Sequence, residues 1–167
     1  MFCFSLLFYA GRSTWFSQCL DYEGFTGDPI ISQLSLWPDG AINDMVIVNN
    51  IGWAARTDYG ALVGIDLSNP DLPEVLSSNR VEVMDEAFFV VANETHAYVS
   101  YLQWGGISAV RIFDISDPLN PIDEGYFYYP EMGLILGMDL VGDRLYIASK
   151  NFSGAGLIIA DISTPAE

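Results

Sequence analysis

Positive charge is what this sequence lacks most. Lysine and arginine together number 6, against 22 aspartates and glutamates, which leaves a formal net charge of −16, and Lys150 is the single lysine. Affinity for a phosphate backbone or an anionic headgroup layer is carried by clustered Lys and Arg that release counterions, so this composition argues against nucleic acid and against a peripheral membrane surface. Cysteine is scarce too. Cys3 and Cys19 stand 16 residues apart, a spacing that suits neither a Cys-x-x-Cys redox pair nor half of a zinc site, and two cysteines build no disulfide framework. Histidine occurs once, as His96. It has no Gly-x-Ser-x-Gly elbow to serve, and no His-Glu-x-x-His, Walker loop, dinucleotide fingerprint or EF-hand loop occurs anywhere. No cofactor is expected.

Long apolar runs are missing as well. The strongest, Met1 to Ala10, is about half of the ~20 residues a membrane-crossing helix needs, so no membrane insertion is expected. Residues 1–14 read either as a truncated signal or leader segment, or as a hydrophobic strand whose true beginning lies upstream; no basic residue precedes the run. Asn93-Glu94-Thr95 and Asn151-Phe152-Ser153 fit the glycosylation sequon, but with eight asparagines about one match is expected by chance.

What is abundant is apolar: 51% of the 167 residues are hydrophobic and 14% aromatic, far above the disordered range, so the chain folds. Its ordering principle is a repeat. Gly64-Ile65-Asp66-Leu67-Ser68-Asn69-Pro70, Ile112-Phe113-Asp114-Ile115-Ser116-Asp117-Pro118 and Ile159-Ala160-Asp161-Ile162-Ser163-Thr164-Pro165 share Asp-[Leu/Ile]-Ser-x-Pro, with aspartates 48 and then 47 residues apart. A second proline follows three residues on, at Pro73 and Pro121. Upstream, Ile42 to Trp53 aligns without a gap on Ile135 to Tyr146, and Ala87 to Tyr98 fits between them, which puts Trp53, Tyr98 and Tyr146 in one column. Gly27 to Ile31 resembles Leu119 to Asp123, so approximate units run over 15–40, 41–86, 87–133 and 134–167.

Each unit reads as four short strands. The first strands are Met45 to Val48, Phe89 to Ala92 and Met138 to Val141, followed by polar turns at Asn49-Asn50, Asn93-Glu94-Thr95 and Gly142-Asp143. The second are Trp53 to Arg56, Ala97 to Leu102 and Leu145 to Ser149. The third are Leu62 to Leu67, Val110 to Ile115 and Leu157 to Ile162, apolar on both alternating sets of positions and therefore expected to be covered on both faces. The fourth are Glu74 to Ser78 and Ile122 to Tyr128. No convincing helical period appears outside the ambiguous N-terminus. Four antiparallel strands per ~47 residues with both faces covered point to an all-β chain of β-propeller blades. A closed ring takes typically 4–8 blades, so this chain amounts to an incomplete open arc. Its expected partners are the remaining blades of a longer chain, or further copies of itself.

These runs, an apolar strand ending in Asp-[Leu/Ile]-Ser-x-Pro with a second proline beyond, resemble the LVIVD repeat from about Ile42 to the C-terminus. The resemblance implies a propeller of bacterial or archaeal type, often secreted or surface-attached, and it implies no activity.

Asp66, Asp114 and Asp161 are expected to hold turns, since a carboxylate there accepts hydrogen bonds from the turn N–H groups while Pro needs no acceptor. The functional expectation rests on the loops instead. Trp37, Asp39, Tyr101, Trp104, Tyr129, Glu131, Asn151 and Phe152, with Gln103 and Pro130, fall in loops expected on one face, and aromatic rings beside carboxylates and amides suit a protein or glycan partner. The expected function is a noncatalytic recognition or scaffold module of an exported or cell-surface protein. The alternative is a fragment of an extracellular hydrolase or metal-dependent enzyme with its site on that face or in absent blades.

Overall fold

In the computed structural model the described residues are 41–57, 61–69, 72–81, 86–103, 107–129, 131–151 and 154–164. They form eleven strands and, among the described residues, no helix. Residues 1–14, read as a leader or a strand, the approximate unit expected at 15–40 and both cysteines lie outside them.

Sheet 1 comprises β1 (Ile42–Val48), β2 (Ile51–Arg56), β3 (Ala61–Asp66) and β4 (Glu74–Asn79). Sheet 2 comprises β5 (Glu86–Ala92), β6 (His96–Gln103), β7 (Ile107–Asp114) and β8 (Ile122–Phe127). Sheet 3 comprises β9 (Leu134–Val141), β10 (Arg144–Asn151) and β11 (Gly154–Asp161). Within each sheet the strands pair antiparallel in chain order. All of this lies in the unit spanning residues 33–167.

Turn chemistry sets the first hairpin of each sheet. Asn49 and Asn50 both hold positive φ (49° and 64°), as a two-residue primed turn requires, and asparagine tolerates that region better than other residues with a Cβ. In sheet 3 Gly142 takes the first central position at φ 55°. In sheet 2 the turn is longer, and the Asn93 side-chain oxygen accepts from the N–H groups of Thr95 (2.9 Å) and His96 (2.7 Å).

The three aspartates close the third strands identically. Asp66, Asp114 and Asp161 are the last residues of β3, β7 and β11, and each Oδ1 accepts from the N–H two residues on: Ser68 at 2.8 Å, Ser116 at 2.8 Å and Ser163 at 3.1 Å. The fourth strands enter with a shared irregularity. Gly64 and Ile65 pair with Ser77 and Val75, and Ile112 and Phe113 pair with Gly125 and Asp123, so Leu76 and Glu124 are the extra residues of two equivalent bulges.

Period-two alternation sends each strand's side chains to opposite faces. Trp53, Ala55 and Leu62 of sheet 1 pack with Ala87, Val90, Ala97, Val99, Tyr101, Ala109 and Phe113 of sheet 2. The other face of sheet 2, with Tyr98, Val110 and Ile112, packs with Ile135, Leu145, Ile147 and Ile162 of sheet 3. Trp53 and Tyr98 stand in one column of the repeat, so each sheet meets the next through its corresponding face. Polar ties accompany the packing. Asp44 Oδ2 accepts from Val90 N–H at 3.0 Å, Asn43 Nδ2 donates to Ala87 O at 2.7 Å, and Ser108 Oγ accepts from Ile135 N–H at 3.3 Å.

Sheet 3 departs from the expectation that third strands are covered on both faces. Leu157 and Ile159 are 65% and 55% exposed, whereas their counterparts Leu62, Val110 and Ile112 are buried, because no described sheet follows sheet 3.

Candidate functional site

Of the sequence-derived site residues, Trp37, Asp39, Trp104 and Phe152 lie outside the described residues, and Pro130 does too. Asn151 ends β10, paired with Gly154 at the hairpin tip. Tyr101 moves from a loop to the interior. β6 runs on to Gln103, and alternation places Tyr101 with Ala97 and Val99 in the core between sheets 1 and 2, 1% exposed. Its hydroxyl has no hydrogen-bond partner, and burial pushes its ionisation well above the ordinary tyrosine range. Tyr101 therefore offers nothing to a ligand on the loop face.

Tyr129 and Glu131 stay outside. Both are exposed on the connection from β8 to β9, which is anchored from beneath by Met132, buried against sheets 2 and 3. Met132 N–H donates to Tyr129 O at 2.8 Å and closes a four-residue turn. Sequence reasoning passed over two neighbours. Tyr126 and Tyr128 are 52% and 56% exposed, which with Tyr129 makes three exposed phenols within four positions. The signal was in the sequence as Tyr126-Phe127-Tyr128-Tyr129, where only Phe127 faces the core.

The strand that presents these rings is held rigidly. Arg111 of β7 donates through Nε to both carboxylate oxygens of Asp123 (2.9 and 2.8 Å) and through Nη2 to Oδ2, and its guanidinium carbon lies 5.7 Å from the Tyr126 ring centroid. Asp123 Oδ1 also accepts from Gly125 N–H at 3.0 Å across the bulge, where Gly125 has φ 115°, a conformation only glycine adopts readily. His96 Nε2 lies 3.2 Å from Glu124 Oε2, and its Nδ1 lies 2.9 Å from Thr95 Oγ1. Both ring nitrogens are thus engaged, one beside the Glu124 carboxylate and the other beside the Thr95 hydroxyl.

The turn aspartates are likewise engaged. The hydroxyl and N–H of Ser68 and of Ser116 hold the Asp66 and Asp114 carboxyls below the ordinary range, and a hydrogen bond from Arg144, then Ser163, takes Asp161 down to about 2. Among the described residues no cluster of three or more His, Cys, Asp or Glu is placed to hold a metal ion, and no helix is long and apolar enough to cross a membrane.

One charge has no such explanation. Arg56 ends β2 at 2% exposure with Nε and Nη2 lacking hydrogen-bond partners, on the face shared with Ala54 and Val63.

No family model matches the sequence, and no curated protein does. Among solved structures the computationally designed Ika4 protein is similar at TM-score 0.43 and 10% identity, over 82% of this chain and 99% of that one, a likeness too weak to carry an argument.

Proposed function

We propose that the chain is a noncatalytic recognition or scaffold module that binds a protein or glycan partner through the tyrosine-bearing connection after β8, and that its sheets are successive blades of an open β-propeller arc of the LVIVD-repeat type. The binding reading is carried by one observation: Tyr126, Tyr128 and Tyr129 are more than half exposed on a segment pinned by buried Met132 and by the Arg111–Asp123 pair. Rigid aromatic rings supply contact area at little cost in side-chain entropy, and carboxylates such as Glu131 beside them add directional acceptors. Trp104 and Phe152 belong to the same proposed face by their place in the repeat.

Support for the arc comes from the face order, Trp53 toward sheet 2 and Tyr98 toward sheet 3, which repeats one packing step. An address outside the cell is part of the proposal and rests on the LVIVD resemblance.

The test is chemical-shift mapping of the chain against a peptide library and a glycan array, followed by affinity measurement on variants. Tyr129→Ala and Trp104→Ala are expected to weaken the selected ligand about tenfold or more, as for aromatic anchors elsewhere, and Asp66→Ala to leave it unchanged. A ligand footprint confined to the Asp-Ser-Pro turns would overturn the reading.

A further inference from the structure

The exposed connection after β8 carries charge of one sign. From Ile122 to Met132 the charged residues are Asp123, Glu124 and Glu131, and no lysine or arginine occurs. The basic side chains that reach this segment from elsewhere in sheet 2 are engaged within it: Arg111 with Asp123, and His96 Nε2 beside Glu124. Over the whole chain the formal charge is −16, and of the other arginines Arg144 is paired with Asp161 and Arg56 is buried. The field around the tyrosines is therefore negative, so it attracts cationic groups and repels phosphate, sulfate and uronate.

The molecule also shows how such a cation is held. The Arg111 guanidinium carbon lies 5.7 Å from the Tyr126 ring centroid while its Nε donates to the Asp123 carboxylate, so one phenol face and one carboxylate together grip one guanidinium. Tyr126 stays more than half exposed beyond that contact. Tyr128 and Tyr129 are exposed to the same degree, make no ring or cation contact among the described residues, and lie beside or on the turn that carries the exposed carboxylate of Glu131. They repeat the parts of the Tyr126 arrangement without its cation.

We infer that the partner taken by this connection is a basic, arginine-bearing segment of another polypeptide, whose guanidinium groups stack on Tyr128 and Tyr129 with Glu131 as counter-charge. The inference rests on the recognition role proposed above and narrows its partner from protein or glycan to a cationic polypeptide. A neutral glycan stacks on phenol rings but offers the carboxylates no counter-charge. Arginine uses both features, because its planar guanidinium presents a face to a ring and its in-plane donors to a carboxylate. The rigid seat formed by buried Met132 and the Arg111–Asp123 pair keeps the rings in place before the partner arrives, which lowers the cost of ordering them.

The experiment titrates the full chain with a labelled peptide of alternating arginine and glycine, and with the same peptide carrying citrulline for arginine, which keeps the planar shape and removes the charge. Affinity is read by fluorescence anisotropy and location by the tyrosine ring resonances. Expected are saturable binding of the arginine peptide that weakens with added salt, ring shifts at Tyr128 and Tyr129, and about tenfold or greater weakening for the citrulline peptide. Tyr128→Leu combined with Tyr129→Leu keeps apolar area, removes the aromatic faces and is expected to weaken the arginine peptide about tenfold. Asp66→Asn combined with Asp139→Asn removes two charges at the end of β3 and in β9 and is expected to change affinity by less than about twofold, which separates a local site from general attraction to an acidic protein. Should the leucine variant not fold by circular dichroism, the ring shifts in the unaltered chain decide. Equal affinity for the citrulline peptide with shifts at these rings overturns the cationic partner and leaves the recognition site standing. Arginine-peptide binding with shifts elsewhere, or indifferent to the leucine changes, overturns both, and absence of saturable arginine-peptide binding overturns the inference.

Discussion

Gly64 lies directly across from Trp53 in the β2–β3 ladder, so close that a Cβ on Gly64 would sit 2.9 Å from Cζ3 of the indole and 2.7 Å from Ser77 Oγ. The equivalent pairs are Tyr98 with Ile112 and Tyr146 with Ile159, so the largest ring of the column is matched by the smallest partner. Gly64→Ala is expected to cost about 1–3 kcal/mol through overpacking, with a shift in Trp53 emission, both measurable by urea denaturation. An unchanged midpoint would mean that the indole relocates without cost.

The turn aspartates predict an acid limb. Their carboxyls are held below the ordinary range, so the stabilisation they give is complete above about pH 4 and is lost as pH falls toward about 2, where Asp161 itself takes up its proton. Changing Asp66, Asp114 and Asp161 together to Asn keeps an acceptor in each turn and removes that dependence. The triple variant is expected to show a flatter stability profile between about pH 4.5 and 2.5. Asp114→Ala alone is expected to cost about 1 kcal/mol at neutral pH, because the Ser116 N–H and hydroxyl that it frees are exposed enough to turn to water.

Arg56 predicts a gain. A buried guanidinium with two unpartnered nitrogens is destabilising, and an apolar side chain of similar length removes the desolvation cost. Arg56→Met is expected to raise the thermal midpoint, by an amount equivalent to about 1–4 kcal/mol in the favourable case. A lowered midpoint would reveal a counter-charge.

Equivalent positions in different sheets are expected to respond oppositely to the same change. Val110→Lys places an ammonium at a fully buried site between sheets 2 and 3 and is expected to cost about 3–5 kcal/mol or prevent folding. Leu157→Lys puts the same group at a 65% exposed site and is expected to stay within about 0.5 kcal/mol while reducing hydrophobic-dye binding. Parallel thermal melts and dye titrations separate the two.

The strands were legible in the sequence because three copies of one turn fix where third strands end, and the polar turns at Asn49, Asn93 and Gly142 fix where first strands end. Their beginnings were less so. β5 starts at Glu86 and β9 at Leu134, several residues before the runs Phe89 to Ala92 and Met138 to Val141, because backbone pairing continues beyond a register shift in each, where Ala87 and Ile135 still face the core. Tyr101 was assigned to the loop face although the second strand itself was read as Ala97 to Leu102. The alternation Ala97, Val99, Tyr101 carried the correct answer. Of the proposed face, Tyr129 and Glu131 were found from the loop position alone, whereas Tyr126 and Tyr128 lay within the stretch read as the fourth strand, Ile122 to Tyr128. Only pairing with β7 and the position of Phe127 decide which rings face outward.

The cross-sheet hydrogen bonds imply a direction for loss of structure. Asp44 and Asn43 fasten the first strand of sheet 1 to the first strand of sheet 2, and Asn79 Nδ2 donates to Pro121 O farther out, whereas the described side-chain tie to sheet 3 is the single bond from Ile135 to Ser108. Cooperative unfolding units tend to follow such connections. Sheets 1 and 2 should therefore melt together as one block, with sheet 3 lost first, so that partial proteolysis removes sheet 3 and leaves a core ending near Met132.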